Sequence, residues 1–330
     1  MKALLLLTLE IHEDGIWIRR LVQRLDTKNE KKIPVVVRSI EDLLAKPYQV
    51  DQLLSNTMGI VNRVSDAASP ALFKACLAVL SAAVCRQIPI INGPTTYALC
   101  GNKWAHHVLF DQAKLLSPPT AAFWSEDDDK DDSLQVSRKE QFQQATTLIK
   151  DKQSNDEHML VKPNAGGFGA GIVRVSPSEP LMPLPTFSDH MTLVQPYVPP
   201  RHGKIYRIWF LLGKVQCAVE RSLEDPDDEF TNACAGGACS IRRPKLAPWL
   251  VPEEVRCELQ EQLFPLLKDA HCGSVEFLYN TEGQRLYFDL NLLSTLPVGI
   301  EDSAGVWPPN YDPWQELADA VWNVVDPQFL

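Results

Sequence analysis

Leu160-Val-Lys-Pro-Asn-Ala-Gly-Gly-Phe-Gly-Ala-Gly-Ile-Val-Arg174 is the stretch on which the reading of this 330-residue chain turns. An apolar, strand-like run delivers Lys162, and four glycines (Gly166, Gly167, Gly169 and Gly171) follow within six positions. A second β-branched run then begins. Positions without side chains let backbone N–H groups approach phosphate oxygens, while a lysine offsets their charge. No Gly-Lys-Ser/Thr follows, so this is not a Walker loop. A strand rather than a helix comes next, so it is not a dinucleotide fingerprint either. Taken alone, the stretch suits a flexible hairpin turn as well as it suits a phosphate loop.

Downstream, Tyr287-Phe-Asp-Leu-Asn291 follows Ser274-Val-Glu-Phe-Leu278. Strand side chains alternate, so Asp289 and Asn291 share a face. With Glu276 on a neighbouring strand they form a set of hard oxygen donors suited to Mg2+ that bridges nucleotide phosphates. Solvent-facing polar residues on a half-buried strand would give the same pattern. Between the two signals lie Leu193-Val-Gln-Pro-Tyr-Val198, Arg207, Arg221 and the loop Thr231-Asn232. Two arginines on consecutive strands could grip a transferred phosphate, and either one alone reads as a surface residue.

Upstream, apolar runs alternate in character. Strand-like segments at Ala3–Leu9, Ile33–Val37, Gly59–Val64 and Ile88–Asn92 are separated by helical patterns at Gly15–Leu25, Ser39–Leu44 and Ala71–Cys85. That alternation predicts a parallel sheet with helices on its faces. A helix over Lys103–Leu115 ends at Ser117-Pro118-Pro119, which reads as a hinge. Beyond it, strands at Met159–Val161, Ile172–Val175, Thr192–Val194, Ile205–Leu212, Lys214–Val219, Ser274–Tyr279 and Arg285–Leu290 come in neighbouring pairs. These imply antiparallel α+β architecture closed by a helix over Asp312–Val325. The predicted units are 1–116 (α/β), 117–193 (a small unit with the glycine loop) and 194–330 (the unit with the acidic strand).

Composition narrows the function classes. The formal net charge is -10, from 42 acidic against 32 basic residues, and such a surface disfavours general nucleic-acid binding. The run at Met1–Leu9 is short and is followed at once by charged residues, so it reads as a buried strand and not a signal peptide. No stretch approaches the roughly 20 apolar residues of a membrane span. The eight cysteines include no CxxC pair, and Cys234 and Cys239 read as scattered reduced thiols. Residues 126–132, nearly all acidic, read as a solvated loop. His106, His107 and His271 are read as core or surface histidines. A cytoplasmic address is expected.

The order of the parts is more specific than any one of them. A lysine precedes the hinge, and a second lysine with its glycine loop follows it. Then come a Gln-x-Tyr-Val segment, arginines, an asparagine loop and Glu…Asp-x-Asn. In this the chain resembles the ATP-grasp superfamily over roughly residues 90–300, and within it the RimK-type ligases. The stretches Asn62-Arg-Val-Ser65 and Phe288-Asp-Leu-Asn-Leu-Leu-Ser294 resemble a RimK-like branch. The resemblance implies a pre-ATP-grasp α/β domain followed by an ATP-grasp fold whose two subdomains enclose ATP. It makes Lys103 and Lys162 phosphate-contacting lysines and Gly166 to Gly171 the lid. It also places Gln195, Pro196, Tyr197 and Val198 in the segment that holds adenine. Arg207, Arg221 and Asn232 fall around the transferred phosphate, and Glu276, Asp289 and Asn291 fall at the magnesium position, with Mn2+ as an alternative.

Three departures from the family's pattern stand out. Glu276 stands where Asp is usual and Asp289 where Glu is usual. Lys204-Ile205-Tyr206 replaces the acidic residue expected at ribose, with Pro196 where the hinge usually has Glu. The implied reaction joins a carboxylate to an amine of small-molecule or peptide substrates through an acyl phosphate. No membrane partner is expected, and a homo-oligomer is compatible with the sequence. Arg38, Asn62 and Arg63 are candidate substrate contacts. Alternatives are a kinase resembling the inositol-phosphate kinases, which would draw on Arg201, His202 and Lys204, and a non-catalytic ATP-binding protein.

Overall fold

The computed structural model describes residues 2–13, 15–27, 32–64, 69–124, 138–150, 158–165, 171–176, 187, 189–223, 245–293 and 311–325. The expectations for the glycine loop at 166–169, the acidic run at 126–132, Ser65, Asn232, Cys234, Cys239 and Ser294 lie outside the described residues.

The chain opens with β1 (Ala3–Thr8), α1 (Ile16–Thr27), β2 (Val35–Ser39), α2 (Ile40–Ala45), α3 (Pro47–Ser55), β3 (Thr57–Asn62), α4 (Pro70–Cys85) and β4 (Ile90–Ile91). The strands form a parallel sheet in the order β2-β1-β3-β4, as the alternating pattern predicts. Leu4, Leu5, Leu6 and Leu7 are at most 1% exposed, which marks β1 as a strand covered on both faces. Ser39 caps α2 by accepting from the Asp42 N–H at 3.1 Å. Next come α5 (Pro94–Cys100) and α6 (Lys103–Gln112), the latter capped by Asn102, whose side-chain oxygen accepts from the Ala105 N–H at 3.0 Å.

A second, antiparallel sheet has the order β5-β8-β6-β7, from β5 (Ala121–Trp124), β6 (Met159–Pro163), β7 (Val173–Val175) and β8 (Met191–Pro196). The helix α7 (Arg138–Lys150) covers one face, and Phe142, Ala145 and Ile149 make a separate hydrophobic cluster there with Met159, Val161 and Val194. A third sheet, also antiparallel, runs in the order β11-β10-β9-β12-β13. It comprises β9 (Lys204–Leu211), β10 (Lys214–Ser222), β11 (Lys245–Pro248), β12 (Cys272–Tyr279) and β13 (Arg285–Asn291), with the short helix α8 (Glu253–Glu258) before β12. Leu212 and Gly213, both at positive φ (48° and 70°), turn β9 into β10. Consecutive left-handed residues match the twist of the flanking strands.

The first and third sheets share their hydrophobic cores. One cluster joins Leu5, Leu7 and Ile60 to Ile208, Phe210, Val275 and Tyr287, and another joins Leu4, Leu6 and Val61 to Trp209, Val219 and Cys272. The closing helix α9 (Pro313–Val325) belongs to the second cluster and packs on α1 and the first sheet. Its Trp314 meets Trp17 edge-on at 5.5 Å, and Trp322 Nε1 donates to the Leu25 carbonyl at 3.3 Å.

Candidate functional site

Strand alternation sorts the second sheet into two faces. Met159 and Val161 face the α7 cluster, so Leu160 and Lys162 lie on the opposite face. Leu160 pairs with Arg174 on one side and with Gln195 on the other, which makes a row across three strands. Tyr197 follows two residues after Gln195, and the Arg174 guanidinium lies 4.1 Å above its ring. The Gln195 side-chain amide donates to Thr120 Oγ1, while the Tyr197 N–H donates to the His158 carbonyl at 2.9 Å. Gly171, the one glycine of the loop that is described, has φ +78°, a left-handed conformation that disfavours side chains.

The third sheet presents a matching row. Arg207 on β9 opposes Glu276 on β12, and Glu276 opposes Asp289 on β13. Val219, Trp209 and Cys217 place this face toward the cluster that contains α9. Arg221, two residues beyond Val219, shares the face, as does Asn291, which opposes Ser274. Arg207 is paired with Glu276 through Nε and a terminal nitrogen on the same carboxylate oxygen. Asn291 Oδ1 accepts the Leu293 N–H at 3.1 Å, and Ser274 Oγ is buried with no hydrogen-bond partner among the described residues.

The helix α6 joins the two sheets. Its first N–H groups would be orphaned, and Asn164, at the exit of β6, takes two of them. The Lys103 N–H donates to the Asn164 carbonyl at 3.1 Å and the Trp104 N–H to Asn164 Oδ1 at 3.0 Å. That docking carries Lys103 to Lys162, and the same helix packs on β13, where Asp289 sits. Lys162 is 6% exposed. Burial, and then the charge of Lys103, push its ammonium down to about 8, partly opposed by Asp289. Burial works against an ionised Asp289, yet the hydrogen bond from His106 and the charges of Lys103, His106 and Lys162 outweigh it. The carboxyl is held well below the usual carboxylate range. Two lysines facing one carboxylate leave an excess of positive charge, which a phosphate chain would offset.

The donor set fits a hard cation. Two carboxylates and an amide oxygen on adjacent strands suit Mg2+. Among the described residues no group of three His, Cys, Asp or Glu gathers to hold a metal, so the set here is two carboxylates completed by an amide oxygen. Glu276 would share its carboxylate between such an ion and Arg207.

The structure thus brings Lys103, Lys162 and Asp289 together and aligns Arg207, Arg221, Glu276 and Asn291 on one face, with Gln195 and Tyr197 on the sheet beside them. Pro196 and Val198 lie in the same segment, and Pro196 pairs with Met159. Of the candidate substrate contacts, Arg63 is 8% exposed and stacks 4.0 Å above Trp17 while donating to the Leu293 carbonyl. Asn62 is fully buried beside Cys76, and Arg38 donates to its neighbour's carbonyl. Two residues were not singled out from sequence. Arg174 stands on the strand after the glycines, in a run of three residues too short to single it out. His106 reads as a core histidine, and nothing local shows that β13 lies beside it.

No protein-family model matches the chain, and neither does any curated protein. Solved structures do. D-cycloserine synthetase DcsG superposes with a TM-score of 0.67 at 14% identity over 98% of this chain and 100% of its own. D-alanyl-alanine synthetase A from Vibrio cholerae O1 biovar eltor str. N16961 gives 0.66 at 14% identity over 98% of both chains. The ATP-grasp ligase PsnB, complexed with minimal precursor, Mg and ADP, gives 0.62 at 13% identity over 98% of this chain and 97% of that one. The chain has the ATP-grasp fold over nearly its whole length.

Proposed function

We propose that the chain is an ATP- and magnesium-dependent ligase that joins a carboxylate to an amine through an acyl phosphate, in the manner of the RimK-like ligases. The units 1–116, 117–193 and 194–330 would be the pre-ATP-grasp domain and the two subdomains around ATP. The observation that carries the reading is the convergence of Lys103, Lys162 and Asp289 where α6 bridges the two antiparallel sheets. A substrate carboxylate oxygen would attack the γ-phosphorus, and the bond to the β,γ-bridging oxygen would break to release ADP. An amine nitrogen would then attack the acyl carbon, lose its proton and expel phosphate. Lys103 and Lys162 would hold the phosphates, and Arg207 and Arg221 would neutralise charge on the transferred group. Gly166 to Gly171 would cover it, and Asn232 would reach it from its loop. Gln195 to Val198 would receive the adenine, with Arg174 stacked behind Tyr197. Glu276, Asp289 and Asn291 would hold the magnesium, which when bound supplies Lewis-acid neutralisation of the phosphate oxygens. The likeness to the ATP-grasp ligase PsnB, complexed with Mg and ADP, and to the two synthetases supports this reading. Among the described residues no helix is long and apolar enough to cross a membrane. A cytoplasmic address accords with the ligase reading.

The kinase reading draws less support. Lys204, one of its three basic residues, pairs with Glu220 at 2.6 Å on the face of β9 opposite Arg207. The test is parallel measurement of ADP and free phosphate with Mg-ATP and pooled amino acids, peptides and polyol phosphates. Equal ADP and phosphate, appearing only when carboxylate and amine are both present, is the expected result. Asp289→Asn should lower it by on the order of 100-fold. ADP without free phosphate would make the protein a kinase, and turnover unchanged in Asp289→Asn would remove the proposed metal site.

A further inference from the structure

The strand β13 is the outer strand of its sheet. Its far side meets the helix α6 and the Leu116 carbonyl, which accepts the Tyr287 N–H at 2.8 Å. The aim of any side chain on β13 therefore depends on what holds that edge. Asp289 sits there in the field of two lysines, Lys103 and Lys162.

His106 holds this corner. It lies on α6 one turn after Lys103, it is 1% exposed, and both ring nitrogens are occupied. Nε2 is 2.8 Å from the Leu99 carbonyl, which can only accept, so Nε2 carries a proton. Nδ1 is 3.4 Å from the Leu290 N and 3.5 Å from Asp289 Oδ1. In a neutral ring Nδ1 accepts the Leu290 N–H and fixes the backbone beside Asp289. In a protonated ring it donates to the carboxylate itself. Either way α6 fixes Asp289, through the Leu290 backbone when the ring is neutral and through Oδ1 when it is protonated, and His106 does not engage Oδ2. An imidazole that orients a metal-binding carboxylate acts through that ligand, and such outer partners commonly carry 10–100-fold of metal affinity.

We propose that His106 is a positioning residue that aims Asp289 at the magnesium position and sets the metal affinity of the nucleotide complex. This rests on the reading of Asp289 as a metal ligand.

Two substitutions separate positioning from mere packing. Asparagine places one amide atom where Nδ1 sits, so His106→Asn keeps the link to Leu290 through its oxygen or to Asp289 through its nitrogen, and loses Leu99. Glutamine reaches the Nε2 position, so His106→Gln keeps Leu99 and loses Asp289. The readout is the Mg2+ concentration that half-saturates binding of a non-hydrolysable ATP analogue, by calorimetry on the full chain, beside urea unfolding without metal. The expected result is a midpoint raised roughly 10-fold in His106→Gln and close to wild type in His106→Asn, whatever either does to metal-free stability. A raised midpoint in His106→Asn, or an unchanged one in His106→Gln, overturns the proposal, and the Asn variant decides it alone if the Gln variant does not fold. Asp289→Asn run in parallel tells the two levels apart. An unchanged Mg2+ midpoint there removes the metal reading itself, whereas a shift there with none in His106→Gln removes only the role of His106.

Discussion

Asn92 follows β4 at φ +54°, a conformation that asparagine tolerates better than most residues. Its side chain ties the first sheet to the third. Oδ1 accepts from His271 N at 2.9 Å and Cys272 N at 3.2 Å, while Nδ2 donates to the Cys272 carbonyl at 3.1 Å and to the Leu292 carbonyl. Its own N–H donates to His271 Nδ1 at 3.2 Å, and burial lowers the pKa of that imidazole, which favours the neutral ring this contact needs. Next in sequence, Gly93 leaves no room for a side chain, since a Cβ there would stand 2.5 Å from Asp269 Oδ2. That carboxylate caps α5 by accepting from the N–H groups of Thr95 at 3.0 Å and Thr96 at 2.7 Å. Asn92→Ala should therefore cost roughly 3 kcal/mol, from several lost bonds and orphaned backbone groups. Asn92→Asp, though the same shape, should cost at least as much, because an acceptor-only carboxylate would face two carbonyls. Urea unfolding of both variants checks this, and an aspartate variant close to wild type would discard the account. The sequence marks Asn92-Gly-Pro only as a turn. Its partners lie about 180 residues downstream, and no local pattern encodes them.

At the scale of elements, periodicity was enough wherever burial is strong and regular. The buried runs of β1, β3, β9, β10, β12 and β13, and the helices α1, α4 and α9, stand where alternation or helical spacing predicts them, to within a few residues. The elements that escaped notice carry weak patterns. The helix α7 buries only Phe142, Ala145, Thr146 and Ile149 in an otherwise polar run, α3 begins at a proline, and β5 and β11 have four residues each. The docking of α9 was not legible either. The helix was predicted, but its seat on the first sheet depends on Gly59 in β3, where an added Cβ would stand 2.4 Å from Val325 Cγ2. Gly59 is there for space, so Gly59→Ala should destabilise by about 1–3 kcal/mol through overpacking. Val325→Ala in the same chain should recover most of that loss, as coupled neighbours do. Denaturant midpoints for the two single variants and the double variant give the coupling. Simple additivity would mean that α9 does not bear on Gly59.

For the molecule as a whole, the site was legible as an order of parts along the chain and not as a place. Lys103, Lys162 and Asp289 were each readable, but their convergence depends on Asn164 docking α6 onto the second sheet and on α6 packing against β13. The consequence is electrostatic and testable. In the free protein Lys162 titrates near 8, against 10.5 for an ordinary lysine, first because it is buried and then because Lys103 is close. Between about 8 and 10.5 the unfolded chain binds the proton more tightly than the folded one. By linkage, Lys162 therefore opposes folding below pH 8, and that penalty fades as the pH rises through the window. A bound phosphate chain reverses the preference, because it favours the ammonium. At pH 9 binding of a non-hydrolysable ATP analogue must then draw a proton from solvent, and its affinity should fall up to tenfold per pH unit above 8. Calorimetry at pH 9 in two buffers of different ionisation heat should show uptake approaching one proton, lost in Lys162→Met. Equal heats in both buffers with binding intact would mean that the nucleotide phosphates do not reach Lys162, and the convergence at α6 would then be a feature of the fold with no bearing on ATP.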